Sequence, residues 1–344
     1  MTRFRMSSPR AILAAAVTAA SLAVPAISHA GETLDNIKSK DMLRCGVNTG
    51  LQGFSAPDSK GQWTGIDAEF CRAVAAAVLG DPNKVQFVPA TAQVRFTLLQ
   101  SGEVDLLSRN TTWTSSRDST LGSVFAGTLF YDGQGFMIRK DAGINSATEL
   151  NGASICVQPG TTTELNLSDY FRAKKMEYKP VVITELSQVE QAFFAGRCDV
   201  YTTDISGLAA TRQKADNPDD YVILPEAISK EPLGPMLRRG DWEFFTIVKW
   251  VLFGLIEAEE QGVTAANVEQ MAAESKLPQT QRLLGKMGDV GKGLGLSNDW
   301  LVNAIKAVGN YGEMYERNIG PIGVPRGLNA QWTEGGLMYA PPVR

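Results

Sequence analysis

Residues 92–118 read AQVRFTLLQSGEVDLLSRNTTWTSSRD, and the order of residue types in that run decides the fold. AQVRFTLLQ reads as a helix, and Val104-Asp105-Leu106-Leu107-Ser108 as an apolar strand directly behind it. Asn110, a crowd of hydroxyl residues, Trp113 and Arg117 follow at once, so this polar stretch sits where a strand ends and a helix begins. Free backbone N–H groups gather at such a junction and favour an anion.

Working outward, the same β-α-β rhythm fills the chain. MLRCGV (42–47) precedes a helix from Gly65 in which Ile66, Phe70, Val74 and Val78 recur every four residues, and KVQFVP leads into the quoted stretch. A second series begins near Gly135 and runs FMIRK, ASICVQ, a helix from about Glu164, KPVVIT, the helix LSQVEQAFFAG and CDVYTTD. Strands alternating with helices predict an α/β protein with a mostly parallel sheet covered on both faces. Two candidate crossings, near 131–138 and 224–238, divide the series into two lobes with a cleft between them. The expected division is 31–134 with 228–270 as the first lobe, 135–227 as the second, and 271–344 as an extension packed on the first. In that extension, 297–318 places Trp300, Ala304, Val308, Tyr311 and Tyr315 on one helical face.

The first thirty residues read as a cleaved secretory signal: Arg3, Arg5 and Arg10 with no acid, an apolar run from Ala11 to Val24, and small residues Ser28 and Ala30 before the cut. Nothing further along approaches a bilayer span, and WVLFGLI (250–256) reads as a buried helix. The formal charge is −4 and becomes more acidic once three arginines leave, which argues against a nucleic-acid partner. The chain's single histidine is His29, so the secreted form has no Ser-His-Asp or Cys-His chemistry and no usual zinc site; no metal or cofactor is expected. Cys45, Cys71, Cys156 and Cys198 form an even set in an oxidising compartment. Three pairings are open; 45–71 with 156–198 puts one bridge in each half.

LRCGVNTGLQGFSAPDSKGQWTGIDAEFCRAVAAAV, VRFTLLQSGEVDLLSRNTTWTSSRD, LNGASICVQPGTTTE and AGRCDVYTTDISGLAA, in that order and spacing, resemble the periplasmic amino-acid-binding proteins of ABC importers, solute-binding protein family 3, over about residues 34–270. The general L-amino-acid-binding branch is the most similar. The resemblance implies a two-lobed type II periplasmic binding protein with a mixed sheet in each lobe, two hinge strands and here a helical C-terminal extension. It also implies a monomer in the periplasm that shuts on one free L-amino acid and hands it to a membrane permease.

The resemblance places roles on particular residues. Arg117 matches the arginine that forks onto the ligand's α-carboxylate, and Thr112 and Asn110 match positions that serve the same zwitterion. In the second lobe, Gly160 permits a tight turn before Thr161, Thr162 and Thr163 open a helix, a further place for the carboxylate. Asp204 matches the carboxylate that receives the α-ammonium, or else it caps the helix ISGLAATRQK. Arg95 matches the arginine that glutamate- and aspartate-binding relatives aim at the side-chain carboxylate, while Leu186 stands near a position where such relatives carry a histidine. Acidic and polar amino acids are therefore the expected ligands, over a broadened range. Leu51 and Phe54 stand where the family has aromatic walls, and Phe54 reads equally well as core. An enzyme on the same fold, a periplasmic dehydratase of the cyclohexadienyl type, is the alternative and would need a carboxylate general acid beside its ligand.

Overall fold

The computed structural model describes Met1, Thr2 and residues 31–344, so the expected signal peptide, beyond its first two residues, lies outside the described residues. Two five-stranded sheets form the two lobes. In the first, the strands lie in the order Val85–Pro89, Leu43–Val47, Leu106–Leu107, Met236–Arg238 and Ser123–Phe125. In the second the order is Lys179–Val182, Ser154–Val157, Val200–Asp204, Gln134–Arg139 and Tyr221–Ile223. The first three strands of each order are parallel, because helices such as Ile66–Leu79 and Leu186–Phe194 make the crossovers between them. The fourth strand of each is antiparallel to its neighbours, and in each lobe it is the first strand laid down after the chain crosses from the other lobe. Each sheet is therefore mixed for the same reason. The apolar run at 104–108 yields only a two-residue strand, Leu106–Leu107, and Asp105 just before it pairs with Arg44.

The crossings are two short strands, Phe130–Asp132 and Glu231–Leu233, paired antiparallel. Tyr131 stands opposite Pro232. The N–H and C=O of Tyr131 leave the ribbon outward and are taken by one side chain, Asn329, at 2.7 Å and 3.0 Å. Pro232 has no N–H to lose at such a position, and its outward carbonyl accepts from the Trp113 N–H at 2.7 Å.

Two disulfides join Cys45 to Cys71 and Cys156 to Cys198. The first ties the strand Leu43–Val47 to the helix Ile66–Leu79; the second ties Ser154–Val157 to the approach of Val200–Asp204. The run WVLFGLI lies within the buried helix Trp242–Glu260, and no helix among the described residues is long and apolar enough to cross a membrane.

Beyond residue 270 the chain wraps the first lobe. The expected single helical face is two helices, Trp300–Val308 and Tyr311–Asn318, broken at Gly309, whose φ is 80°, and restarted by an Asn310/Glu313 capping box. All five residues expected on that face are buried nonetheless. Leu301 approaches the long helix so closely at Gly254 that a Cβ there would lie 2.6 Å from its Cδ1. The second helix reaches the crossing: Tyr311 donates to the Leu129 carbonyl at 2.9 Å, Tyr315 stacks on Phe130, and Arg326 lies over both tyrosines while paired to Glu259.

Candidate functional site

A small polar cavity lies between the lobes, lined by residues of both. Strand ends and helix starts build its walls, as the local sequences dictate. From the first lobe come Asn48 and Leu51 after the first strand, Ala92 and Arg95 at the helix Arg95–Gln100, and Arg109, Asn110 and Thr112 after Leu106–Leu107. From the second come Gln158 and Thr161 to Thr163 at the start of the helix Thr162–Lys174, then Leu186, Tyr201, Thr203 and Asp204.

Six of the seven residues expected to hold a ligand, Arg95, Asn110, Thr112, Thr161, Thr162 and Asp204, line this cavity. Arg117 does not. Its Nη1 donates to the Thr112 carbonyl at 2.7 Å, and its side chain lies over Phe96 in an outer groove that shares Thr161 and Thr162 with the cavity. It is presented by the short helix Ser115–Thr120, which Thr114 caps by accepting from the Arg117 N–H. Of the two hydrophobic candidates, Leu51 lines the cavity and Phe54 is core, edge-on to Phe130.

Arg95 is only 3% exposed, and its Nε finds no hydrogen-bond partner among the described residues. Burial, with Arg109 and Arg117 nearby, depresses its pKa well below the usual value, against the pull of Asp204. Across the cavity Asp204 stands at the N-cap position, just before the helix Ile205–Arg212, but its side chain makes no cap. Asp132, on the crossing strand, takes that duty by accepting from the Ser206 N–H and hydroxyl. Asp204 is thus left free toward the cavity. Burial, followed by the charges of Asp132 and Glu231, pushes its pKa well up, while the Asn110 side chain and Arg95 oppose this.

Asn110 meets Asp204 from the opposite lobe because its backbone is left-handed, with φ 35°. Asparagine tolerates that region better than most residues. Asp67 holds it there, accepting from the Asn110 N–H at 2.7 Å and from the Ser108 hydroxyl at 2.8 Å. Burial raises the Asp67 pKa to about 6 against these two bonds and the charge of Arg109. In the second lobe Gly160 turns with φ 71°, and Thr161 caps the helix through the Glu164 N–H, so the free N–H groups of that helix start border the cavity.

Three buried polar residues at or beside the cavity escape the sequence reading. Arg109 lines the cavity at 2% exposure, fixed by its Nε bond to the Ala90 carbonyl. Tyr201 lines it with a buried hydroxyl that has no partner among the described residues. Glu231 is buried beside it on the second crossing strand. Arg109 carried a signal, an arginine in the first turn after an apolar strand; Tyr201 sat inside a strand and looked like core.

A model of the bacterial extracellular solute-binding proteins, family 3, matches residues 43–264. The general L-amino acid-binding periplasmic protein AapJ of Rhizobium johnstonii is 56% identical over 338 residues, covering 97% of this chain and 99% of its own. The glutamate/glutamine/aspartate/asparagine-binding protein BztA of Rhodobacter capsulatus is 56% identical over 325 residues, covering 94% and 96%. Among solved structures, a periplasmic binding protein of an ABC transporter from Brucella ovis with glutathione bound is 58% identical with a TM-score of 0.89, covering 91% of this chain and 99% of that one. With the two-lobed architecture, a cleft lined from both sides and a family match across well over half its length, the chain belongs to family 3 of the bacterial extracellular solute-binding proteins.

Proposed function

We propose that the protein is the periplasmic solute-binding component of an amino-acid ABC importer, working as a monomer, which closes its two lobes on a free L-amino acid and delivers it to a membrane permease. The observation that carries this reading is the pairing, across one cleft, of a sealed guanidinium with no hydrogen bond at its Nε, Arg95, and an uncapped buried carboxylate, Asp204. A buried ion left bare is costly, and a zwitterion with an acidic side chain supplies both missing partners. Asp204 with Asn110 receives the ammonium. The helix start at Thr161 and Thr162, flanked by Thr112 and reached from the outer groove by Arg117, receives the α-carboxylate. Arg95 receives the side chain, with Arg109 adding charge.

Glutamate, aspartate and their amides are the ligands this arrangement favours, in keeping with what the Rhodobacter capsulatus relative is named for. The relatives matched over nearly the whole chain are binding proteins, which supports binding over the dehydratase reading. The lobes divide at the paired strands Phe130–Asp132 and Glu231–Leu233, and the extension moves with the first lobe. In solution scattering with calorimetry, saturating glutamate lowers the radius of gyration; an unchanged profile at proven saturation overturns the two-lobe clamp.

A further inference from the structure

Glu231 is 1% exposed, and its four hydrogen bonds come from neutral groups. One oxygen, Oε2, accepts from the hydroxyls of Thr112 at 2.6 Å and Thr162 at 2.8 Å. The other, Oε1, accepts from the Asn166 amide at 2.7 Å and the Ser229 hydroxyl at 2.6 Å. These donors come from three parts of the molecule. Thr112 belongs to the first lobe, Thr162 and Asn166 to one helix of the second, and Ser229 to the approach of the crossing strand.

The two threonines also line the cavity from opposite lobes, their hydroxyl oxygens 3.2 Å apart. Thr112 is already fastened to the crossing by its bridge to Leu233. The bonds that depend on the lobes coming together are therefore those from Thr162 and Asn166. Each hydroxyl has a single proton, and here both are directed at the same carboxylate oxygen.

Building on the closure reading above, we propose that Glu231 is a closure latch: a positioning residue that ties the two lobes together behind the ligand, through Thr162 and Asn166, whichever amino acid is bound. Bonds to a charged acceptor are stronger than neutral ones, so the latch contributes to holding the lobes shut. Because it lies on the protein's side of the threonines, it sets how long a ligand stays and not which ligand is preferred.

Two variants test it, Glu231→Gln and Asn166→Ala, the second leaving the crossing strand intact should the first fail to fold. Dissociation rates for glutamate, glutamine and leucine are measured by stopped-flow displacement, with scattering on the wild type alongside. Both variants are expected to release all three ligands faster by one common factor, about tenfold for Glu231→Gln, with the ratios between ligands unchanged. If the wild type contracts on binding while both variants release at its rates, the latch is wrong. A loss confined to glutamate overturns it equally, since Glu231 would then select ligands. If the wild type does not contract, the closure reading itself falls and takes the latch with it.

Discussion

At the scale of the residue, a guanidinium sealed from water gains most from the anion that reaches it, and Arg95 is that group here. Charge-assisted bonds contribute about 1.5–3 kcal/mol against about 1 for neutral ones. Arg95→Ala is therefore expected to weaken glutamate and aspartate about tenfold or more in calorimetry and to leave leucine nearly unchanged. A uniform loss across ligands would assign Arg95 to lobe structure instead. Asp204 answers to pH. Its pKa is held well up by burial, and an arriving ammonium lowers it, so binding releases a proton and affinity rises with pH across the range between the two values. Calorimetry in buffers of different ionisation enthalpy reads that proton directly; equal heats in all buffers would mean that Asp204 does not meet the ammonium. Hydroxyls, a strand end and Arg117 make the polar loop after 104–108 read as an anion site, and the structure sets Asn110 and Thr112 of that loop in the cavity and Arg117 in the outer groove. Glu231 was not legible, since an acid between Lys230 and Pro232 looks like solvated loop until the fold brings four donors around it.

At the scale of the element, periodicity revealed most of the strands and helices, and it misled where two helices share one buried face. Trp300 to Tyr315 keep their spacing across the break, so hydrophobic pattern alone cannot see Gly309; the Asn310-x-x-Glu313 cap could have. The crossings were legible only to within several residues, because three-residue strands carry too little alternation to read. Each disulfide closes a loop inside one lobe, contributing about 3–4 kcal/mol by chain entropy. Non-reducing peptide mapping is expected to recover 45–71 and 156–198, and reduction to lower the melting temperature without abolishing ligand-driven compaction. Asn329→Ala removes two bonds to the Tyr131 backbone, about 1 kcal/mol each. Hydrogen exchange at the Tyr131 amide is expected to quicken well before that of the sheet cores; unchanged exchange would show that the side chain does not protect it.

At the scale of the whole molecule, the cleft gathers Arg95, Arg109 and Arg117 against Asp67, Asp132, Asp204 and Glu231, all buried or nearly so. Holding so many ionisable groups out of water is costly, and stability follows pH accordingly. Burial raises Asp67 from 3.8 to about 6, and Asp132 likewise reaches about 6. Between those values the folded chain holds protons that the unfolded chain has lost, so this contribution is complete below 3.8 and is lost as pH rises through 6. For Asp67 alone the span corresponds to about 3 kcal/mol. The ligand-free melting temperature of Asp67→Asn is expected to fall less steeply from pH 4 to pH 7 than that of the wild type; parallel curves would exclude Asp67 as the source. The sealed ribbon between the lobes has one more consequence. With Asn329 on one edge and the Trp113 N–H on the other, these exposed backbone groups are already engaged, so a neighbouring molecule cannot use them to add a strand. Removing the tail that carries Asn329 would bare one edge of that ribbon, and is expected to cost solubility before it costs affinity.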